Sequence, residues 1–420
     1  MKKYNLYKDC GVNWIGDLPS HWQAVRIKWL LNERIERSED GEGTPLSMSQ
    51  KYGLVPTSEM DVVPNLAANY IGAKQVYKDD LVFNKLKAHL GVFAISKHDG
   101  LVSPDYAVYT STGRSYLPFL EYLFHTQLYI SEFKKKTTGV AIGFTRLYTD
   151  GLFSIYSIYP PLAEQKVIVA YLDKKSAEID EQIAMVEREI ELLKEYKQAE
   201  IARVVLHGLN PDAPMKASGI SWIGDIPAHW TTRKIKFTFD ERSEKNHPDE
   251  TVLCATQSQG VIPQSMYDNR VVVVNKGFEN LKMVRVGDFV ISLRSFQGGI
   301  EYAYYQGIIS AAYTILTPNE TIDPGYAKLL LKSHNFIQLL KTCVTGIREG
   351  QNINYDLLKN KFIPIPPITE QQEIAKYIEY KSTETDRLVV ELTYQEENLK
   401  EFKQRLIADV VTGKINVQND

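Results

Sequence analysis

Along two stretches of the chain, apolar residues recur at alternating intervals of four and three. In the first, Ile179, Ile183, Val186, Ile190 and Leu193 keep this spacing with charged residues between them. In the second, Leu388, Leu392, Leu399, Phe402 and Leu406 follow it, with Gln395 in the seam. Such a heptad period predicts two long helices that pair as a coiled coil. Each is expected to follow a proline pair, Pro160-Pro161 and Pro366-Pro367, where proline ends an extended segment and Thr369 can cap. Gly208 and Gly413 should stop them. Roughly 40 residues at 1.5 Å each makes about 60 Å per helix. Elsewhere the pattern is different. Short β-like runs such as Val271–Val274 and Phe289–Ile291 are punctuated by Gly, Pro, Asn and Asp, as in small α+β domains.

The chain repeats itself. Trp14-Ile-Gly-Asp-Leu-Pro-Ser-His-Trp22 returns as Trp222-Ile-Gly-Asp-Ile-Pro-Ala-His-Trp230, 208 residues later, with seven of nine positions identical. Pro160-Pro-Leu-Ala-Glu-Gln165 returns as Pro366-Pro-Ile-Thr-Glu-Gln371, and Lys194-Glu-Tyr-Lys-Gln198 as Lys400-Glu-Phe-Lys-Gln404, both at an offset of 206. Between these islands only a skeleton is shared: Asp80-Leu-Val-Phe with Asp288-Phe-Val-Ile, Gly91 with Gly299, Ser103 with Ser310, and Thr138-Gly139 with Thr345-Gly346. Matching ends around divergent middles predict a duplicated unit whose ends build a common scaffold while the middles do different jobs. The expected fold is therefore α+β: two globular domains joined by two long helices that form an antiparallel coiled coil, with an internal pseudo-twofold repeat. The expected partition is 1–159 for the first domain, 160–210 for the first helix, 211–365 for the second domain and 366–420 for the second helix. Because Trp14, Trp22, Trp222 and Trp230 are common to both copies, they are expected to build the frame rather than stack on a variable ligand; His21 and His229 beside them are expected to be structural.

Composition narrows the function. With 420 residues, 44% hydrophobic and 24% charged, the chain has an ordinary globular balance. A start of MKKYNLYKDCGVNW and the lack of a long apolar run predict a cytoplasmic protein. Cys10, Cys254 and Cys343 are scattered and odd in number, which argues against a disulfide framework or a zinc site. Net charge is −3 with a pI near 6.3, too acidic for a protein that binds nucleic acid by overall charge. The charge is unevenly placed. Residues 23–159 carry 15 basic against 14 acidic side chains and residues 231–365 carry 16 against 13, whereas the helical segments are net −3 and −4. Any basic face belongs to the middles.

A unit that opens WIGDxPxHW, passes through a variable domain to PPxxEQ, and continues into a long helix ending near Val410-Val-Thr-Gly-Lys-Ile-Asn416 resembles the specificity subunit of type I restriction-modification enzymes. The resemblance covers essentially the whole chain, twice over. It implies that the middles are target recognition domains, each reading one half of a bipartite site on double-stranded DNA. It further implies that the paired helices set the spacer between half-sites, and that helices and common ends dock two methyltransferase (modification) subunits. S-adenosylmethionine, ATP and Mg2+ would then be carried by partner subunits, including motor/endonuclease (restriction) subunits, with no cofactor or metal in this chain. A non-catalytic role agrees with the motifs: no GxGxxG or GxxxxGK[ST] loop occurs, and Tyr159-Pro-Pro-Leu162 and Ile365-Pro-Pro-Ile368 lack the flanks of an amino-methyltransferase tetrapeptide. The other reading left open is a tandem coiled-coil scaffold that binds proteins only.

Several polar clusters in the middles are candidate DNA contacts. Asn84, Lys85, Lys87 and His89 precede Gly91; Ser292, Arg294, Ser295 and Gln297 hold the equivalent place before Gly299. Arginine suits guanine, and asparagine or glutamine suits adenine, in bidentate base contacts. Thr145 and Arg146 follow Thr138-Gly139, and Arg348, Gln351, Asn352 and Asn354 follow Thr345-Gly346. Lys134, Lys135 and Lys136 fit phosphate contact better than base reading. For each cluster a plain solvated loop remains the alternative.

Overall fold

The computed structural model describes residues 2–61, 69–139, 145–267, 277–345 and 352–418. The run Val271–Val274 lies outside them. Two compact units emerge: Met1–Val186 with Tyr394–Asp420, and Glu187–Thr393. Each unit therefore contains one stretch of both long helices. No helix among the described residues is long and apolar enough to cross a membrane.

In the first unit, β1 (Tyr7–Asp9) and β2 (Asp17–Pro19) form an antiparallel pair, and β3 (Gln23–Arg26) pairs with β12 (Tyr156–Tyr159). Between them lies an antiparallel sheet of β4 (Leu31–Arg34), β8 (Leu81–Asn84), β9 (Phe93–Ile95) and β11 (Tyr106–Ser111), in the order β4-β11-β8-β9. Flanking it are β5 (Leu46–Ser49) with β6 (Gly53–Pro56), and β7 (Lys74–Val76) with β10 (Gly100–Val102). Helices α1 (Leu117–Phe124), α2 (Gln127–Lys136) and the short α3 (Thr149–Phe153) precede the first long helix, α4 (Leu162–His207). Leu81, Val82 and Phe83 of β8 are all buried, because helices cover one face of the sheet and a hairpin the other. The rings of Phe83 and Phe93 stack at 4.4 Å, with Phe124 and Phe133 edge-on to Phe83.

The second unit repeats this plan. β13 (Met215–Ala217) pairs with β14 (Asp225–Pro227), and β15 (Thr231–Lys234) with β26 (Phe362–Ile365). Its sheet runs β16 (Phe239–Arg242), β23 (Thr314–Pro318), β20 (Phe289–Ile291), β21 (Glu301–Tyr302), the same order as in the first unit. β17 (Leu253–Thr256) pairs with β18 (Gly260–Pro263), β19 (Lys282–Val284) with β22 (Gly307–Ile309), and β24 (Val344–Thr345) with β25 (Asn352–Ile353). Helices α5 (Ser295–Gly298), α6 (Pro324–Lys332), α7 (His334–Lys341) and α8 (Tyr355–Leu358) precede the second long helix, α9 (Ile368–Val411).

The repeated islands are where each unit locks its frame. Trp22 and Trp230 are fully buried. Trp14 meets Tyr129 edge-on at 5.2 Å, as Trp222 meets Phe336 at 5.8 Å. Glu164 accepts from the Tyr4 hydroxyl at 2.7 Å and pairs with His21 Nε2 at 2.8 Å; Glu370 pairs with His229 Nε2 at 2.7 Å and accepts from Trp230 Nε1 at 3.0 Å. The Gln165 carboxamide accepts the Tyr116 N–H at 2.8 Å and donates to the Pro160 carbonyl at 2.9 Å. Gln371 accepts the Asp323 N–H at 2.7 Å and donates to Pro366 at 2.8 Å. The Glu-Gln dipeptide thus ties each helix start to its own domain, and neither side chain can be replaced without orphaning buried groups. The repeated aspartates do the same in the sheets: Asp80 holds Arg34 at 2.9 and 3.0 Å, and Asp288 holds Arg242 at 3.0 and 3.3 Å.

The long helices run antiparallel. In the second unit Lys197 Nζ meets the Asp386 carboxylate at 2.7 Å, while three residues further along α4 the Glu200 carboxylate accepts from Tyr377, which lies earlier on α9, at 2.9 Å. In the first unit Lys403 Nζ meets Asp180 at 2.7 Å. Ile179, Ile183, Val186 and Ile190 are buried as the spacing predicts. On α9 the register needs correcting. Leu392, Leu399 and Leu406 lie in the seam, but Leu388, Gln395 and Phe402 are exposed. Their places are taken by Val389, Glu396 and Lys403, half-buried, one residue further on. The physical reason is that Glu and Lys cover the seam with their aliphatic stems and keep their charges outside, so apolarity alone misassigns the line.

Candidate nucleic-acid interface

β8 ends in a turn built by its own last residue. Asn84 Oδ1 accepts the Leu86 N–H at 3.1 Å, and the Lys87 N–H closes on the Asn84 carbonyl at 3.0 Å. A single 3-10 turn, Ala88–Leu90, and Gly91 at φ +79° return the chain to β9. Lys87 is exposed; Lys85 and His89 are half-buried. Partial burial pushes the Lys85 ammonium below the usual lysine range, and the neighbouring Lys74 charge adds to this, while Glu33 and Asp105 oppose it. His89 Nδ1 is buried with no hydrogen-bond partner among the described residues.

The second cluster of this unit lies against the first. Thr138 and Arg146 exchange backbone hydrogen bonds at 2.8 and 2.9 Å, and the Leu147 N–H then donates to the Lys85 carbonyl at 2.9 Å. Arg146, half-buried, pairs with Asp105 at 3.7 Å, and Thr145 sits half-buried beside it. Two segments about 60 residues apart thus form one site. Lys134, Lys135 and Lys136 are exposed on the last turn of α2 leading into it, with Lys135 paired to Glu132 at 2.5 Å.

The second unit builds the same place with other side chains. After β20 the Ser292 N–H donates to Ser295 Oγ at 2.9 Å, so the buried Ser295 serves to start α5. Arg294 and Gln297 are exposed and Ser292 is half-buried. α5 lies against β25, and Phe296, Gln297, Lys341 and Val344 border a shallow depression. Asn352 is exposed opposite Thr345; Asn354 caps α8, its Oδ1 accepting the Leu357 N–H at 3.2 Å. Arg348 and Gln351 lie outside the described residues.

One contribution was not anticipated from the sequence. The turn between β5 and β6 brings Gln50 to the first loop, where its Nε2 donates to the Leu90 carbonyl. The turn between β17 and β18 brings Gln257 to the second, its Nε2 reaching Gln297 Oε1 at 3.4 Å. Lys332 Nζ steadies that turn through the Gln257 carbonyl at 3.1 Å. The signal was available in the repeat: Ser49-Gln50 before Gly53 and Thr256-Gln257 before Gly260 stand 207 residues apart. Each unit therefore presents a cluster of cationic and amide side chains. Lys87 and Arg146 suit phosphate oxygens, and Gln50, Gln257, Arg294 and Gln297 suit base edges.

Comparison with known proteins bears on this arrangement. No family model matches the chain. It is 21% identical over 428 residues to the putative type I restriction enzyme MjaX specificity subunit of Methanocaldococcus jannaschii, covering 96% of both chains. It is 21% identical over 320 residues to the EcoKI specificity subunit of Escherichia coli, covering 71% of this chain and 66% of that one. The chain is thus similar, over nearly its whole length, to type I restriction enzyme specificity subunits. Solved structures share the fold. The crystal structure of the HsdS subunit from Thermoanaerobacter tengcongensis aligns over 95% of this chain and 98% of that one, with a TM-score of 0.56 and 17% identity. A chain solved in work on complex assembly and conformational transition of the type I R-M system aligns over 95% and 99%, with a TM-score of 0.67 and 17% identity.

Proposed function

We propose that this chain is the specificity subunit that gives a type I restriction-modification assembly its DNA sequence preference, each unit reading one half of a bipartite site through the loops gathered at the ends of β8 and β20. The observation that carries the reading is the contrast within one duplicated fold. Side chains that hold the frame are the same in both units, whereas Asn84, Lys85, Lys87 and His89 are replaced at the equivalent place by Ser292, Arg294, Ser295 and Gln297. Two different half-sites require such a difference, and a shared mounting explains the sameness around it. The long helices set the spacer and, with the common ends, dock two methyltransferase subunits. Those subunits bind S-adenosylmethionine, and restriction subunits with ATP and Mg2+ complete the nuclease. The chain itself supplies recognition and assembly rather than catalysis, in the cytoplasm.

Exchanging residues 23–159 for the corresponding domain of another specificity subunit tests this directly. Methylation mapping should show one half-site changed and the other kept; a change in both, or in neither, refutes independent half-site reading. Removing seven residues from each long helix at matched positions shortens it by about 10 Å, about three base pairs. The preferred spacer should contract accordingly. If the complex binds no DNA, or binds it without a steep fall in affinity as salt rises, a scaffold for proteins alone becomes the better reading.

A further inference from the structure

Each unit exposes one large aromatic side chain at the same position of the repeat, at the end of its sheet away from the candidate DNA loops. Ile27-Lys28-Trp29 and Ile235-Lys236-Phe237 are single 3-10 turns 208 residues apart. Both are fixed by their neighbours in the same way. The Ile27 N–H donates to Ile155 at 2.9 Å and the Ile235 N–H to Lys361 at 3.0 Å. Thr112 Oγ1 donates to the Trp29 carbonyl at 2.9 Å and Asn319 Nδ2 to the Phe237 carbonyl at 3.1 Å. The backbone is pinned, yet Trp29 is 55% exposed and Phe237 58% exposed. A lysine lies over each ring, Lys28 at 5.1 Å and Lys236 at 5.2 Å. A second cation–aromatic pair accompanies each turn on the neighbouring strands: Arg26 over Tyr156 at 4.8 Å and Lys234 over Phe362 at 5.4 Å.

Strand register separates this patch from the reading loops. In the first unit Asn84 faces Tyr106 at one end of β11, whereas the Trp29 carbonyl is held by Thr112 just past the other end. Six residues of extended chain span about 20 Å. In the second unit Ile291 faces Thr314 at one end of β23 and Asn319 holds Phe237 beyond the other, about 17 Å away. At the reading end the side chains differ between the copies; at this end cation and aromatic are kept in both. A surface repeated in kind suits one partner bound twice.

Resting on the functional reading above, we infer that Trp29 and Phe237, with Lys28 and Lys236 beside them, are the anchors on which two copies of the methyltransferase subunit dock, one per repeat. The partner surface that fits is an apolar pocket with an acidic rim. The pocket receives the ring, and the rim pairs with the lysine, and with Arg26 or Lys234 behind it. Tryptophan and arginine, as at Trp29 and Arg26, are over-represented among interface hot spots, and phenylalanine is enriched in interface cores.

The test uses the full chain and the purified methyltransferase subunit of its own system, with stoichiometry read by native mass spectrometry and affinity by titration. The unaltered chain should take up two copies. Trp29→Ala and Phe237→Ala should each weaken one of the two binding events by about 30-fold or more, the lower bound for a hot-spot truncation. The double variant should lose both, while Trp29→Phe with Phe237→Trp should retain them. Thermal melting should fall only modestly for the alanine variants, which remain folded at the assay temperature, since more than half of each ring residue is exposed. If the double variant still binds two copies with unaltered affinity, or if only DNA binding falls, the inference is overturned, the second result assigning the patch to the phosphate backbone. If the unaltered chain takes up no methyltransferase subunit, the functional reading itself fails and the inference falls with it.

Discussion

Replacing Asp288 by alanine should destabilise the second unit by about 3–5 kcal/mol, the cost of leaving one member of a buried ion pair alone. Asp288 is 2% exposed and accepts four hydrogen bonds. Oδ2 takes the Arg242 Nε at 3.0 Å and the Arg285 N–H at 2.8 Å; Oδ1 takes Arg242 Nη2 at 3.3 Å and the Thr317 hydroxyl at 2.8 Å. Arg242 lies in β16 and Thr317 in β23, so one carboxylate joins the residues of two strands to the start of β20. In the alanine variant the Arg242 side chain, 18% exposed, keeps only Thr317 and a looser approach to Glu244 at 3.6 Å. Asp288→Asn keeps the shape and one acceptor oxygen but loses the charge, and should cost less. Hydrogen exchange reads the effect locally. At about 1.4 kcal/mol per decade, protection of the Ile315 and Leu316 amides in β23 should fall by two to nearly four orders of magnitude. Val108 and Tyr109 in β11 should stay protected, and the matching Asp80→Ala should reverse the pattern. A loss below one decade, or an equal loss in both sheets, would refute the argument that this pair holds the strands together.

Two further outcomes follow from particular geometries. Gly91 and Gly299 close the two candidate loops with left-handed φ angles of +79° and +87°. A Cβ on Gly91 would meet nothing closer than 3.8 Å, so Gly91→Ala should cost only the backbone strain of about 1–2 kcal/mol; on Gly299 it would fall 2.6 Å from the Leu331 carbonyl, so Gly299→Ala should cost distinctly more, and equal melting shifts for the two would contradict this. Lys85, held below the usual lysine range by partial burial and by Lys74, loses its proton at lower pH than an ordinary lysine; a DNA phosphate brought to it should restore the charge. DNA binding at alkaline pH should then take up a proton, measurable by calorimetry in buffers of different ionisation enthalpy, and Lys85→Arg should abolish the uptake.

What could be read from the sequence divides along the range of the interactions concerned. The frame was legible because its residues serve several partners at once. Glu164 and Glu370, Gln165 and Gln371, and Trp230 each occupy sites where substitution would strand a buried group, and the fully buried Trp22 one where it would open a cavity, so the two copies still match there. The first helix seam was legible for the same reason: Ile179 to Ile190 do nothing but pack. The α9 seam was misplaced by one residue because Glu396 and Lys403 contribute methylenes that a polar label conceals. The site was legible only in pieces. Asn84 to His89 and Thr145–Arg146 could each be picked out by residue type, but their union depends on the Leu147 N–H finding the Lys85 carbonyl, a pairing dictated by the sheet rather than by either segment. Gln50 and Gln257 carry no such signal by residue type, because a glutamine in a hairpin turn is unremarkable until the fold brings it to Leu90 or Gln297. Shared buried positions carry the fold, and the divergent positions gather in the loops after β8 and β20. Comparing the two copies at the surface rather than in the core is what singles out Trp29 and Phe237: retained as exposed aromatics where burial cannot account for them.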